Sequence, residues 1–352
     1  MQDPLFPFEM PMQDPMAYAF RAEERRRAFF RVGVALAVLL VVTVVMQYAL
    51  LFAVKGLFPS AVSAWWLDWV LSLIPLYGFG LPAFCLSLKG LAKGARCDTY
   101  ISRGHILCKP HFRLRDFLLL TVIGFGLVYI GNFMGTILMG VLSNLTGYDY
   151  ENALTSVLDG SPTWMVVLGT VVIAPIGEEL IFRKLLMDRL LPFGDLSAIL
   201  VSAAAFGLFH GNFFQFFYAF LVGALLAYIY AWSGNWLWGV GLHMLINLVG
   251  GVIMPYVIGL LNLEGDPLQD PSVLVDYMIA LGVELFILAL IAGSLVLLIY
   301  LFRTRRIYLG RGNGEVTLTR RDAIAASVGN SGMILAAVLF VTYMALSLWP
   351  IS

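Results

Sequence analysis

Residues 174–183 read APIGEELIFR, so two adjacent carboxylates and one arginine stand in an otherwise apolar run. Ionisable side chains are costly inside a membrane segment, and where they occur there they usually serve a function. If the run is helical, Glu179 and Arg183 are four residues apart and share one face. Glu178 then lies about 100° away around the helix axis. The arginine can therefore hold one carboxylate and leave the other available for chemistry.

The composition of the whole chain excludes a soluble globular protein. Of the 352 residues, 60% are hydrophobic and only 12% are charged, whereas ordinary domains carry about 25% charged residues. Three cysteines are too few for a disulfide framework. The first apolar run is too long for a cleavable signal peptide. We therefore predict an all-α polytopic membrane protein.

The apolar stretches predict about nine transmembrane helices, each of about 20 residues. They are residues 32–54, 66–88, 117–142, 164–187, 196–211, 213–232, 236–254, 279–302 and 333–350. Lysine and arginine are concentrated in the N-terminal segment and in loops 89–116 and 303–332, which places these parts on the cytoplasmic side. The N-terminus is therefore expected to be cytoplasmic and the C-terminus to lie outside.

Four segments follow from this pattern. They are a cytoplasmic N-terminal segment (1–31), N-terminal transmembrane helices with the basic loop 89–116 (32–160), a central core that contains residues 174–183 (161–255) and C-terminal transmembrane helices (256–352). The arginine-rich second half of the first segment suits a short interfacial helix. It also suits a simple basic flank that sets the topology.

Three further polar groups lie in the central spans. His210 closes the run from Phe206, and His243 and Asn247 are four residues apart, which puts them on one helix face. A carboxylate in apolar surroundings is a strengthened base and can take a proton from water. Histidines can position that water, bind a metal or stabilise an oxyanion, and an amide can donate to a developing negative charge. The set favours hydrolysis of an amide in or near the bilayer, although similar groups form proton relays in transporters.

The order of these motifs resembles the CPBP intramembrane proteases, the family of CAAX proteases and bacteriocin-processing enzymes also called Abi. The motifs are EExxxR at residues 178–183, FxxxH at 206–210 and HxxxN at 243–247, and the resemblance extends over about residues 164–254. It implies an intramembrane endopeptidase that cleaves a membrane-associated protein or peptide. The expected partners are that substrate and the lipid bilayer, without nucleic acid, and the expected location is a bacterial inner (cytoplasmic) membrane.

The resemblance also implies a role for each motif residue. Glu178 corresponds to the glutamate that activates water, and Glu179 and Arg183 would support and orient it. His210 would hold the attacking water or a metal. His243 and Asn247 would complete the site, with Asn247 stabilising the oxyanion.

Two questions remain open at this point. Glu178, His210 and His243 have the ligand types of a catalytic zinc site, and they could equally act on water without a metal. The alternatives to a protease are a non-catalytic membrane scaffold or immunity protein and a proton-coupled transporter.

The predicted boundaries contain one inconsistency. At 1.5 Å per residue, Glu178 and His243 reach similar depths, but His210 falls about 10 Å or more too far toward the outer end of its span. The shared motif favours convergence of the three residues, so we expect the fifth span to begin well below the membrane surface.

Overall fold

The computed structural model of the protein describes residues 14–94, 97–102, 105–266, 270–311 and 318–348. Residues 1–13 of the predicted N-terminal segment lie outside this range. The helices are α1 (Pro15–Leu57), α2 (Trp66–Ser87), α3 (Leu114–Thr146), α4 (Ala153–Asp159), α5 (Thr163–Phe193), α6 (Asp195–Phe209), α7 (Phe213–Ser233), α8 (Trp236–Gly259), α9 (Pro271–Arg303), α10 (Arg320–Ser327) and α11 (Ser331–Leu346). A small antiparallel hairpin, β1 (Thr99–Ser102) and β2 (His105–Cys108), lies between α2 and α3.

Capping residues at the helix ends satisfy backbone groups that have no hydrogen-bond partner within the helix. Asn212 and Asn330 cap α7 and α11 by accepting hydrogen bonds from backbone N–H groups of the first turn. Gly147 and Gly234 end α3 and α7 in the left-handed conformation that glycine adopts without strain. These short breaks separate long apolar stretches into antiparallel helices.

Within the described residues, seven helices are long and apolar enough to cross a bilayer: α1, α2, α3, α5, α7, α8 and α9. The pair α10 and α11, bent by 61°, would make an eighth if counted as one span. The expected all-α polytopic membrane protein is therefore confirmed, and the predicted number of nine is approximate. The predicted fifth span is the exception, because α6 has only 15 residues and is about 22 Å long.

The predicted interfacial helix is instead the first part of α1. This helix runs unbroken for 43 residues, about 65 Å, which is twice the thickness of a hydrocarbon core. Its first turns are fixed to other parts of the protein. The hydroxyl of Tyr18 donates to Asp322 of α10 at 2.6 Å, and Arg25 donates to the carbonyl of Phe193 at the end of α5, also at 2.6 Å.

Helix α7 occupies the centre of the packing and contacts α3, α6 and α8. Helix α1 packs against α2 and α11. Helix α9 packs on α3 where Gly126 faces Ser294, and a Cβ at Gly126 would come within 2.2 Å of the serine Cβ. The rest of α9 is largely exposed, as expected for a helix that faces lipid.

Helix α5 contains two wide, π-helical segments, Val167–Ile173 and Leu180–Met187, on either side of Ala174–Glu179. Helix α2 has a similar segment at Ile74–Gly80, and α8 has one at Val249–Ile253. Such turns are frequent at functional sites because they change the direction in which neighbouring side chains point. Here they flank the turn that carries both glutamates.

Candidate active site

A fully buried ion pair forms the base of the site. Arg183 Nε lies 3.2 Å from Glu179 Oε2, and neither side chain is exposed to solvent. The two atoms are not aligned for a hydrogen bond. Arg183 is fixed instead by donating to the carbonyl of Gly223 at 3.2 Å and by lying 4.5 Å above the ring of Phe206. The structure thus contains the Glu179–Arg183 pair that helix spacing predicts.

His243 lies between the two glutamates. Its Nδ1 is 3.2 Å from Glu179 Oε1, and its Nε2 is 3.7 Å from Glu178 Oε2. The glycine one turn earlier on α8 permits this approach, because a Cβ at Gly239 would lie 2.6 Å from Glu179 Oε2. In the tautomer with a proton on Nδ1, His243 donates to Glu179, which leaves Nε2 facing Glu178.

The two carboxylates have different environments. The side chain of Glu179 is completely buried, whereas 15% of the Glu178 side chain is exposed. Glu178 also lies within range of electrostatic interaction with His210 and with the hydroxyls of Tyr77 and Tyr218. Of the adjacent pair, Glu178 is therefore the more exposed carboxylate.

His210 ends α6 and closes another side of the site. Its Nδ1 is 2.8 Å from the carbonyl of Phe206, and its ring lies 4.8 Å from the Phe206 ring. Its electrostatic partners include Glu178, His243 and Arg183. The convergence of His210 with the other two motifs, expected in spite of the span boundaries, is thus present in the structure.

The start of α6 explains how His210 reaches this depth. Asp195, the first residue of α6, is completely buried and accepts from Lys109 Nζ at 2.5 Å and from the backbone N–H of Gly310 at 2.7 Å. Lys109 also donates to the carbonyl of Ala231 at 3.0 Å. Helix α6 therefore begins inside the protein, covered by the loop after β2 and the loop after α9.

Asn247 lies one turn beyond His243 on α8. Its Nδ2 donates to the carbonyl of Thr170, in the wide segment of α5, at 2.8 Å. This hydrogen bond ties α8 to α5, and the described contacts do not join Asn247 to Glu178, His210 or His243. Its role at the oxyanion stays a prediction.

A metal site would require the donor atoms of its ligands to converge on one point. Within the described part of the chain, no group of three His, Cys, Asp or Glu side chains is arranged to hold a metal ion. Nδ1 of His210 faces the carbonyl of Phe206 and Nδ1 of His243 faces Glu179. These contacts leave Nε2 of each histidine open, as in many metal sites, but the donors of Glu178, His210 and His243 do not converge on one point, so the set does not fit a zinc centre in this arrangement.

Three neighbours of the glutamates were absent from the predicted site: Tyr77, Tyr218 and Gly239. Nothing in the sequence marks them, because tyrosine and glycine are common in apolar helices. Only the packing of α2, α7 and α8 against α5 brings them to the two carboxylates.

Comparison with known protein families supports the expected resemblance. Residues 160–249 match the family described as type II CAAX prenyl endopeptidase Rce1-like. No curated protein and no solved structure is significantly similar to the chain. The matched segment contains all three motifs, so this part of the multi-pass membrane protein is similar to a CAAX-protease-type peptidase family.

Proposed function

We propose that the protein is an intramembrane endopeptidase in which Glu178 activates water for hydrolysis of a peptide bond. The observation that carries the proposal is the contrast within one pair of glutamates. Glu179 is fully buried and paired with Arg183, whereas the adjacent Glu178 is partly exposed and faces His243. This arrangement gives one fixed carboxylate and one reachable base.

The proposed reaction balances without a cofactor. Glu178 accepts a proton from water as the water oxygen bonds to the carbonyl carbon of the substrate, which produces a tetrahedral oxyanion. The protonated Glu178 then gives this proton to the leaving amine as the C–N bond breaks. The products are a new carboxylic acid and a new amine, and the proton of the acid then passes to the amine to give a carboxylate and an ammonium group.

The neighbouring residues would orient and stabilise these steps. His210, beside Glu178, is placed to hold the attacking water. His243 is fixed by Glu179 through Nδ1; with a second proton on Nε2, as an imidazolium, it would donate to the oxyanion, and Asn247 is assigned a second donor role. In this arrangement Arg183 acts at a distance from the reacting atoms by keeping Glu179 ionised and in place.

The substrate class follows from the location of the site. Glu178 and His243 lie on helices long and apolar enough to cross a bilayer, so a substrate must reach them from the membrane. We propose a membrane-associated protein or peptide, cut near the cytoplasmic surface of a bacterial inner membrane. The bilayer itself is the second partner, and we propose no role for nucleic acid.

The test compares the wild type with Glu178→Gln and His243→Ala, each purified in detergent and incubated with a library of membrane peptides. Products are identified by mass spectrometry, with and without a chelator. The matched control is Glu264→Gln, which removes an exposed carboxylate in the loop before α9.

We expect the Glu178 variant to lose about 10²- to 10⁴-fold in kcat, the range that general acid–base catalysis contributes. The control should keep wild-type activity, and a chelator should change nothing. Cleavage that survives both active-site substitutions would instead favour the scaffold or transporter interpretations. Chelator-sensitive cleavage would refute the metal-free form of the mechanism.

A further inference from the structure

Tyr77 of α2 lies against the turn of α5 that carries the glutamates. Gly177 makes this contact possible, because an added Cβ would lie 2.1 Å from Tyr77 Cε1 and 2.6 Å from its hydroxyl oxygen. Real Cβ atoms do not approach other atoms so closely. The tyrosine therefore occupies the space that a side chain at residue 177 would need, next to Glu178 in the chain.

The Tyr77 hydroxyl is directed at polar groups of the same turn. It donates to the carbonyl of Ala174 at 3.4 Å, a long hydrogen bond. The oxygen also lies within electrostatic range of Glu178. The hydrogen bond therefore joins Tyr77 to the backbone one turn before Glu178.

The local backbone of α2 is shaped for this contact. Tyr77 is the central residue of the wide segment Ile74–Gly80, which begins at Ile74-Pro75. The segment packs on α1 through Gly80, where a Cβ would lie 2.3 Å from Thr43 Oγ1. Helix α2 thus packs on α1 at one side, and Tyr77 points at α5 on the other.

We infer that Tyr77 is a positioning residue of the active site, which holds the Glu178 carboxylate in its reactive orientation. The inference rests on the proposed function for its effect on catalysis. It also extends the site beyond the family match, because Tyr77 lies outside residues 160–249. The N-terminal helices would then contribute directly to the chemistry and not only to membrane anchoring.

The test is Tyr77→Phe, which removes the hydroxyl and keeps the ring packed on Gly177. We expect kcat to fall about tenfold with KM within twofold of the wild type, since the change acts on the base and not on substrate binding. Tyr256→Phe is the matched control, because Tyr256 is 69% exposed.

A second pair of variants separates positioning from packing. Gly177→Ala should lower kcat, because the new methyl displaces the Tyr77 ring. In a Tyr77→Ala background the same glycine change should have little further effect, since the obstructing ring is gone. Equal losses from Gly177→Ala in both backgrounds would overturn the inference.

A spectroscopic readout makes the inference testable without cleavage. The infrared band of the Glu178 carboxyl group, identified by its loss in Glu178→Gln, is recorded in detergent for wild type and Tyr77→Phe. A band at a different frequency in the tyrosine variant supports the inference, even if no peptide is cut and the proposed function fails. An unchanged band, or unchanged kcat in an active enzyme that needs Glu178, would refute it.

Discussion

The buried pair of Lys109 and Asp195 offers a quantitative test of how α6 is held. Lys109 Nζ lies 2.5 Å from Asp195 Oδ2, and the two side chains are 4% and 0% exposed. Removing one partner of such a pair costs about 3–5 kcal/mol, because the remaining charge stays buried without compensation. In Lys109→Met, Asp195 retains the hydrogen bond from Gly310 N at 2.7 Å. We therefore expect the free energy of unfolding to fall by about 3 kcal/mol, which is near the lower end of this range.

The assay is unfolding in mixed micelles with increasing sodium dodecyl sulfate, followed by tryptophan fluorescence. Asp195→Asn should also destabilise the protein, because it leaves the lysine cation buried. The double variant Lys109→Met/Asp195→Asn removes both charges and should lie within about 1 kcal/mol of the wild type. The control is Arg27→Met, which breaks an exposed pair with Glu23 and should cost less than about 1 kcal/mol.

Two results would refute this reasoning. The first is a loss in Lys109→Met no larger than in Arg27→Met, which would mean that the buried pair is hydrated in solution. The second is additivity of the two single losses in the double variant, which would mean that the charges do not interact. A folded Lys109→Met with lowered kcat is expected, since the pair sets the position of His210 through α6.

Three further outcomes are expected. Gly239→Ala should lower kcat in a folded protein, because its Cβ would lie 2.6 Å from Glu179 Oε2; normal kcat would show that the carboxylate can move freely. Arg183→Met should destabilise the protein by about 3–5 kcal/mol in the same unfolding assay, since it leaves Glu179 buried without its cation; a loss below about 1 kcal/mol would contradict the pairing. Hydrogen bonds from Ser272 hold the pKa of Asp270 below its ordinary value of 3.8, so this helix cap is complete above that pH and is lost as the pH falls through the lowered pKa. Hydrogen exchange in the first turn of α9, corrected for intrinsic rates, should therefore lose protection on acidification in wild type and not in Asp270→Asn.

Much of the fold could be predicted because its signals are local. Apolar stretches of sufficient length predict helices in a bilayer, and asparagine, aspartate and glycine mark many of their ends. The Glu179–Arg183 pair could also be predicted, since it depends only on helical spacing within one segment. The family match further supports the interpretation of residues 174–183, 206–210 and 243–247 as one site.

The remaining parts depend on contacts between distant segments. The unbroken helix α1 could not be distinguished from an interfacial helix followed by a span, because an arginine-rich turn is compatible with both. The predicted boundaries placed His210, which follows α6, too near the outer end of the fifth span. Its first residue is held by Lys109 and Gly310, which are 86 and 115 residues away in the chain. The sequence likewise does not indicate that Tyr77 and Gly239 lie at the site, because they reach it only when α2 and α8 pack on α5.

The hydrogen bond between Asp195 and Gly310 has a consequence for synthesis. The three motifs are complete once residue 247 has been made, yet Gly310, which donates to Asp195, follows residue 247 by 63 residues. At about 5–20 residues per second, the ribosome needs roughly 3–13 s to cover that distance. During this interval the nascent chain has every motif residue but lacks one of the two contacts that hold the start of α6. The candidate site would therefore be completed only after α9 has been made.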